Sequence, residues 1–448
     1  MGNLIEPRVL KGFRDFLPPD EIMRRDLIEK IERSFRSYGF VPIDTPALEY
    51  AEILLGKGGG ETDKQVFRFT DHGKRDVALR YDLTVPLARF LAEHHSRLSF
   101  PFKRYHIGKA WRGENPQRGR YREFFQCDFD IIGSDSAASD FEILHMMQST
   151  LSSLNCGGIE IRMNHRGIFN DFLSKLSLTN KSVEILRTVD KLAKIGREKC
   201  LELLSEITEE GEKIINFIEI KGSFDETLKQ MTELAGVSPH SERLTLIYNY
   251  LGDAGLGISG GEAGVSFILD PSITRGLDYY TGIVFETLLS ELPSIGSICS
   301  GGRYDNLVSL YSKEELKGIG ASIGIDRLIA GMEALGKLRK KESYAKLAIA
   351  CLGEKKAGLY QKLAGLFRAG GIDCEVFLEA DKPVKQYQLA EKKGIRWLIL
   401  DEDEAAVSGY TQDLSKVLLS LRDLPKRETK AGLSTDEIKK IIMKDGWT

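Results

Sequence analysis

Residues 275 to 286 run Arg-Gly-Leu-Asp-Tyr-Tyr-Thr-Gly-Ile-Val-Phe-Glu, a cation and two tyrosines at the mouth of an alternating apolar stretch. A period of two puts Leu277, Tyr279, Thr281, Ile283 and Phe285 on one face of a strand, and Asp278, Tyr280, Gly282, Val284 and Glu286 on the other. The first set suits a core and the second the wall of a pocket. Gly276 lets the backbone beside Arg275 come close to a ligand, so the guanidinium can be aimed at an anion. A cleaner alternation runs from Arg120 to Ile132. Glu123, Phe125, Cys127, Phe129 and Ile131 share a face suited to packing on helices, while Arg122, Phe124, Gln126, Asp128 and Asp130 share the other. That second face lines up an amide and two carboxylates about 7 Å apart, which suits a small ligand with several nitrogens. Just upstream, the loop from Trp111 to Arg120 holds Arg112, Arg118 and Arg120, whose planar forks match phosphate oxygens and point to triphosphate binding without a P-loop. Arg327, after Gly318, Gly320 and Gly324, is a further phosphate partner. Those glycines miss the dinucleotide-binding spacing and suit close packing of a strand on a helix. Taken singly, each segment also fits an ordinary strand or hairpin with its charges in water.

The elements that must position these residues are legible around them. Asp20 is placed to cap a helix with Leu27, Ile31, Phe35 and Tyr38 on one stripe, ending at Gly39. Phe40 to Pro46, with two prolines, reads as an edge or interface strand, a natural dimer element. Gly56 to Thr62 lacks phosphate-loop spacing and reads as a mobile lid. Strand signals at 66–69, 77–81, 103–112 and 120–132, joined by turns, specify an antiparallel sheet, with helices at 86–94 and 136–154. From 168 to 255 the chain becomes Lys/Glu-rich and heptad-like, as in Val183 to Phe217, which predicts a helical insertion. Strands return at 264–269, 275–286 and 297–302 and in the glycine-rich run into Arg327. From 345 onward strand, helix, strand, helix and strand alternate through Leu400, the pattern of a small parallel or mixed α/β domain. The expected class is therefore an α+β core on an antiparallel sheet flanked by helices, over 1–167 and 256–336. A helical insertion at 168–255 interrupts it and an α/β domain at 345–448 follows.

The 448 residues exceed one typical domain. A net charge of -3 argues against a wholly basic nucleic-acid sleeve. No window approaches the ~18 uninterrupted apolar residues of a membrane span and the start resembles no leader, which predicts a cytoplasmic protein. The six cysteines, at 127, 156, 200, 299, 351 and 374, have no paired short spacing, so free buried thiols are expected and no zinc or other metal site.

In this order the motifs resemble those of a class II aminoacyl-tRNA synthetase, and specifically the histidyl-tRNA synthetase family. The helix and strand ending at Pro46 resemble motif 1, Phe102 to Gly133 motif 2, and Gly320 to Leu328 motif 3. Arg275 to Tyr280 and Gly301-Gly302-Arg303-Tyr304-Asp305-Asn306-Leu307 resemble the two histidine-specific motifs, and Lys385 to Ala390 with Gly394 the C-terminal anticodon-binding domain. The resemblance implies activation of L-histidine by ATP with Mg2+ and transfer to tRNA(His), by a homodimer joined through motif 1. It implies that Arg112 holds the ATP α-phosphate, Glu114 the adenine amino group, Phe124 the adenine face and Arg327 the γ-phosphate, with Arg120 a further phosphate contact. Asp82, Thr84 and Gln126 would bind the histidine α-amino group, Asp130 and Tyr280 the imidazole nitrogens, and Tyr304 would line the pocket. Asp82 and Asp130 stand where many bacterial members carry glutamates, Asp326 stands where motif 3 often has Glu, and Gln126 to Asp130 is closer to a eukaryote-like pattern. The regulatory subunit of ATP phosphoribosyltransferase shares this core but usually lacks the catalytic arginine and the anticodon domain. Pyrophosphate exchange across amino acids, without tRNA, separates the two.

By the same resemblance Arg275 reaches the α-phosphate opposite Arg112, in a place many class II relatives give to a metal ion. Arg275→Ala is expected to slow histidine-dependent pyrophosphate exchange by about 10²- to 10³-fold, the cost of one preorganised donor. A near-normal rate would remove the residue from the mechanism.

Overall fold

The computed structural model describes residues 4–56, 65–256, 264–273, 280–306, 308–400 and 417–444. The chain divides into two compact units, one of residues 1–15 and 27–338, the other of 16–26 and 339–448. In chain order the first unit carries β1 (Val41–Pro42), β2 (Leu48–Tyr50), β3 (Arg68–Thr70), β4 (Asp76–Leu79), β5 (Phe102–Trp111) and β6 (Glu123–Ile132). It continues with β7 (Ile159–His165), β8 (Val265–Leu269), β9 (Ile283–Leu289), β10 (Cys299–Tyr304) and β11 (Gly318–Gly324). Eight of these form one sheet in the order β1-β5-β6-β11-β10-β9-β7-β8. It is antiparallel except at its two edges, where β1 pairs parallel with β5 and β8 with β7. Strands β2, β4 and β3 form a separate small antiparallel sheet.

The apolar face of β6 packs as its alternation predicts. Helix α1 (Pro18–Ser37) brings the Phe35 ring to 4.8 Å from that of Phe129 and 5.7 Å from that of Tyr105. Cys127, Phe129 and Ile131 are buried beside them. The helix starts two residues before the expected cap. Pro18 supplies a preset dihedral, and Asp20 and Glu21 instead fill the first turn, where carboxylates meet the positive end of the helix dipole. Gly39, at φ +80°, lies just past its end, and β1 follows at the sheet edge. Strand β9 begins at Ile283, and its register sets Val284 and Glu286 opposite Gly302 and Ser300, on the face of Asp130 as the alternation of 275–286 assigns, although Val284 is buried there. Residues 274–279, with Arg275, lie outside the described residues, as does most of the 56–62 segment read as a lid.

Between β7 and β8 the chain is helical from Arg166–Lys175 to Pro239–Asp253. The heptad-like run from 183 to 217 is several short helices, broken where Gly196 takes φ +81°. Stacked Phe172 and Phe217, 4.4 Å apart, with Phe169 alongside, hold them together. The second unit has a five-stranded mixed sheet. Its strands are β12 (Leu347–Ile349), β13 (Cys374–Val376), β14 (Trp397–Leu400), β15 (Leu419–Asp423) and β16 (Glu428–Leu433), in the order β13-β12-β14-β15-β16. The first three are parallel, and helices Ala357–Ala369 and Pro383–Lys392 connect them as the alternation predicts. The β15/β16 hairpin and the helix Thr435–Lys444 escape that pattern, because β16 is an exposed edge strand with no apolar face to betray it. Among the described residues no helix is long and apolar enough to cross a membrane, and all six cysteines are free and buried.

A buried ionic cluster fixes the strand that ends at Tyr304. Asp140, on the helix Ala137–Ser153, accepts from Arg303 Nε at 3.0 Å and pairs with Arg243 of the helix Pro239–Asp253. Arg303 also donates to Ser134 O at 2.9 Å and to Ser139 Oγ at 3.0 Å. Asp140→Ala would strand the buried Arg303 guanidinium. It is expected to destabilise this unit by about 3–5 kcal/mol, seen as a lowered midpoint in denaturant, whereas an exposed pair such as Arg33 with Glu29 can be broken at little cost.

Candidate active site

On β6 and its neighbours, register alone gathers the polar side chains. Asp130, Asp128 and Gln126 stand opposite Gly320, Ser322 and Gly324 of β11 on one side, and opposite Arg104, His106 and Gly108 of β5 on the other. Ser300 and Gly302 of β10 continue the row beside Ser322 and Gly320. Every one of these positions is even-numbered, so they share a face by the period-2 rule. The glycines and serines leave that face hollow. A Cβ on Gly320 would lie 1.9 Å from Asp130 Oδ1 and one on Gly302 would meet the Tyr280 ring at 2.9 Å. The glycine-rich run of β11 thus makes room across strands for a carboxylate, a different role from the strand-on-helix packing expected of it.

A cavity of about 180 Å³ occupies the hollow, lined by Asp82, Thr84, Arg112, Gln126, Asp128 and Asp130, with Tyr280, Tyr304 and β10–β11 residues opposite. Asp82 precedes α2 (Thr84–His94), and its Oδ1 accepts from the amides of Thr84 and Val85 at 3.1 and 3.0 Å. Its Oδ2 is buried without a hydrogen bond. Burial pushes the Asp82 carboxyl above its ordinary range against those amides and the more distant arginines. Asp128 is pushed up to about 7, first by burial. Asp130 is also raised by burial, against the pull of Arg104, whose Nη2 stands 2.6 Å from Asp130 Oδ2. Tyr304 donates its hydroxyl to Asp130 Oδ1. The pocket is therefore lined by carboxyls that burial holds above their ordinary range despite the donors already around them, and an entering cation or N–H donor would favour their anions.

A second cavity of about 250 Å³ adjoins it, lined by Arg112, Glu114, Arg120, Phe124, Asp326 and Arg327 among others. The two cavities share Arg112, Gln126, Ser300 and Ser322 as walls. Arg112 Nε donates to Tyr81 O at 3.0 Å, and its guanidinium carbon lies 5.1 Å from the centre of the Phe124 ring. Arg327, at the start of the helix Ile325–Ala334, is lowered from the ordinary guanidinium value by burial and then by Arg120 and Arg112, which outweigh the opposing pull of Glu286 and Glu114. Asp326 holds the floor. It accepts from the Phe125 amide at 2.8 Å and pairs with Arg14, which stacks 3.7 Å over the Tyr121 ring. Arg120 is exposed at the tip of the hairpin that Gln117 and Arg120 close.

The first cavity thus brings together Asp82, Thr84, Gln126, Asp130, Tyr280 and Tyr304, and the second Glu114, Arg120, Phe124 and Arg327, with Arg112 at the junction. Asp128 and Ser322 were given no role from the sequence, although Asp128 was already placed on the face of Gln126 and Asp130. Ser322 is recoverable by counting alternate residues along β11. Among the described residues no cluster of three or more metal-ligating side chains occurs.

A family model described as histidyl-tRNA synthetase matches residues 12–328, and an anticodon binding domain model matches 346–444. A histidine–tRNA ligase of Treponema denticola is 53% identical over 98% of this chain and 99% of its own, and one of Wolinella succinogenes is 41% identical over the same shares. The crystal structure of a histidyl-tRNA synthetase from a Nostoc species superposes with a TM-score of 0.84 at 31% identity, covering 98% of this chain and all of that one. A Bacillus halodurans structure described as an ATP phosphoribosyltransferase regulatory subunit/histidyl-tRNA synthetase shares the fold at 21% identity, with a TM-score of 0.72 over 87% of this chain and 97% of its own. With an acidic and a cationic cavity meeting at one arginine, and with relatives that match along nearly the whole length, the chain belongs to the histidyl-tRNA synthetase family.

Proposed function

We propose that this chain activates L-histidine with ATP to histidyl-adenylate and passes the histidyl group to tRNA(His). The observation that carries this reading is the shared wall of the two cavities. An amino acid in the acidic chamber and a nucleotide in the cationic one would present carboxylate and α-phosphate to each other beside Arg112. Asp82, Thr84 and Gln126 bind the α-ammonium group, and Asp130 and Tyr280 read the imidazole, with Tyr304 holding Asp130. Phe124 and Glu114 take the adenine, and Arg327 with Arg120 the outer phosphates. ATP arrives as its magnesium complex, and the ion is part of the substrate.

In the first step a histidine carboxylate oxygen attacks the α-phosphorus and the bond to the bridging oxygen breaks, releasing pyrophosphate. Charge grows on the α-phosphate oxygens and the leaving group. Fixed guanidinium groups in a partly buried site stabilise it without reorganising, and the adjoining chambers hold the reacting groups together. Arg112 is one such group, already pinned by Tyr81 O. Arg275 is proposed as the second. In the next step a terminal ribose hydroxyl of the tRNA attacks the carbonyl carbon and AMP leaves. Discrimination follows from the chamber's buried acceptors, since an analogue lacking an imidazole N–H leaves them unpaired.

On the same reading the helical stretch at 168–255 is an insertion in the catalytic unit and 345–448 binds the anticodon. The chain forms a homodimer through α1 and β1 and works in the cytoplasm, with no zinc. Histidine-dependent pyrophosphate exchange, run beside the other amino acids, tests the reading. Exchange with another amino acid in place of histidine would overturn it.

Asp128 gives the chamber a pH dependence. Because burial lifts its carboxyl to about 7, it loses its proton as pH rises from 6 to 8. The anion attracts the nitrogens of histidine better, so KM for histidine should fall with rising pH by up to about tenfold more than titration of the free amino acid explains. Asp128→Asn should flatten that component, read from KM for histidine against pH at saturating ATP.

A further inference from the structure

We propose that Arg104 is a positioning residue of the amino-acid pocket, pinning the Asp130 carboxylate from behind and supplying its countercharge; this rests on reading the first cavity as the histidine site. Arg104 lies in mid-strand on β5, directly opposite Asp130, and its side chain is 0% exposed. Its Nη2 is 2.6 Å from Asp130 Oδ2, an ion pair whose N–H is not directed along a hydrogen bond. Asp130 Oδ1 accepts from Tyr304 on β10. The carboxylate is thus held from two strands, with the cavity in front of it.

Arg303 gives the contrast. That buried guanidinium spends its donors on Asp140, Ser134 and Ser139 and ties elements together. Arg104 Nε, Nη1 and Nη2 make no hydrogen bond. As structural glue it is poor value, since a buried ion pair is commonly matched or bettered by an apolar pair of the same volume. As a fixed charge behind a substrate acceptor it has a clear use. The groups facing the pair are Asp128 and Gln126 on β6, Asp82 ahead of α2, Tyr304 on β10, His106 on β5, and Arg112 and Tyr280 across the cavity. His106 is lowered to about 3 by burial and then by Arg104, so it adds no charge near neutrality. On both Asp128 and Asp130 burial is the largest influence and Arg104 the next, opposing it. Removing Arg104 therefore leaves both carboxyls harder to ionise and Asp130 free to rotate about the Tyr304 contact.

The test uses the full chain in pyrophosphate exchange, with KM for histidine and for ATP measured from pH 5.5 to 8.5 in the wild type, Arg104→Met and Arg104→Lys. Arg104→Met is expected to raise KM for histidine about 10- to 100-fold and to leave KM for ATP within about twofold. The low-pH limb of the histidine profile should move upward by about one pH unit or more. Arg104→Lys, which keeps the charge but not the fork, should return the limb toward the wild-type position while KM for histidine stays raised. Where the methionine variant does not fold, the lysine variant's rise in KM for histidine alone carries the same comparison. Unchanged histidine KM and pH profile would overturn the proposal. So would parallel losses for histidine and ATP with an unmoved limb, the signature of a purely structural arginine. A wild type that exchanges with histidine while the variants match it would sink this inference alone, whereas a wild type silent with histidine would sink the function as well.

Discussion

The register of β6 against β5 and β11 is the constraint on which the site depends. A slip of one residue would turn Gln126, Asp128 and Asp130 into the helix-packed side and bring Cys127 and Phe129 into the cavity. Burial enforces the register on one face, through Phe129 against Phe35 of α1, and close approach enforces it on the other, where only a glycine at 320 clears Asp130. The apolar side of a single strand thereby fixes the chemistry of its polar side. The cluster around Asp140 does the same for β10, holding Arg303 so that the next residue, Tyr304, meets Asp130.

Charge is sorted between two adjoining chambers. In one, burial works against the anionic forms of Asp82, Asp128 and Asp130. In the other, mutual repulsion and burial work against Arg327 beside Arg120 and Arg112. On the proposed reading a ligand of opposite charge would offset these effects in each chamber, and apolar packing elsewhere supplies the stability that such an arrangement needs.

Much of this was readable in the residues, for a physical reason. Strand alternation is set by backbone geometry, so Gln126, Asp128 and Asp130 could be placed on one face without knowing what packs there. Strands 102–111, 123–132 and 397–400 and the helix 357–369 fall within a few residues of their sequence signals. What failed was context. Val284 keeps the side that alternation assigns it, opposite Gly302, yet it is buried, and no local pattern says what will cover it. The glycines of β11 serve a carboxylate on the neighbouring strand, a partner nearly two hundred positions away that no local pattern records. Arg104 was hidden for the same reason. Its role exists only once β5 is laid beside β6, although counting alternate residues from Arg104 to Gly108 would have put it opposite Asp130.

The common wall of Arg112, Gln126, Ser300 and Ser322 has a consequence for inhibition. The two chambers adjoin there, so on the proposed reading one stable molecule that joins a histidine-like head to a nucleoside through an uncleavable link would reach from one into the other. Such a compound loses its rotational and translational freedom once instead of twice, and its affinity should far exceed that of either fragment. Selectivity among such compounds would reside in the head group, because Asp82, Asp128 and Asp130 all lie at that end.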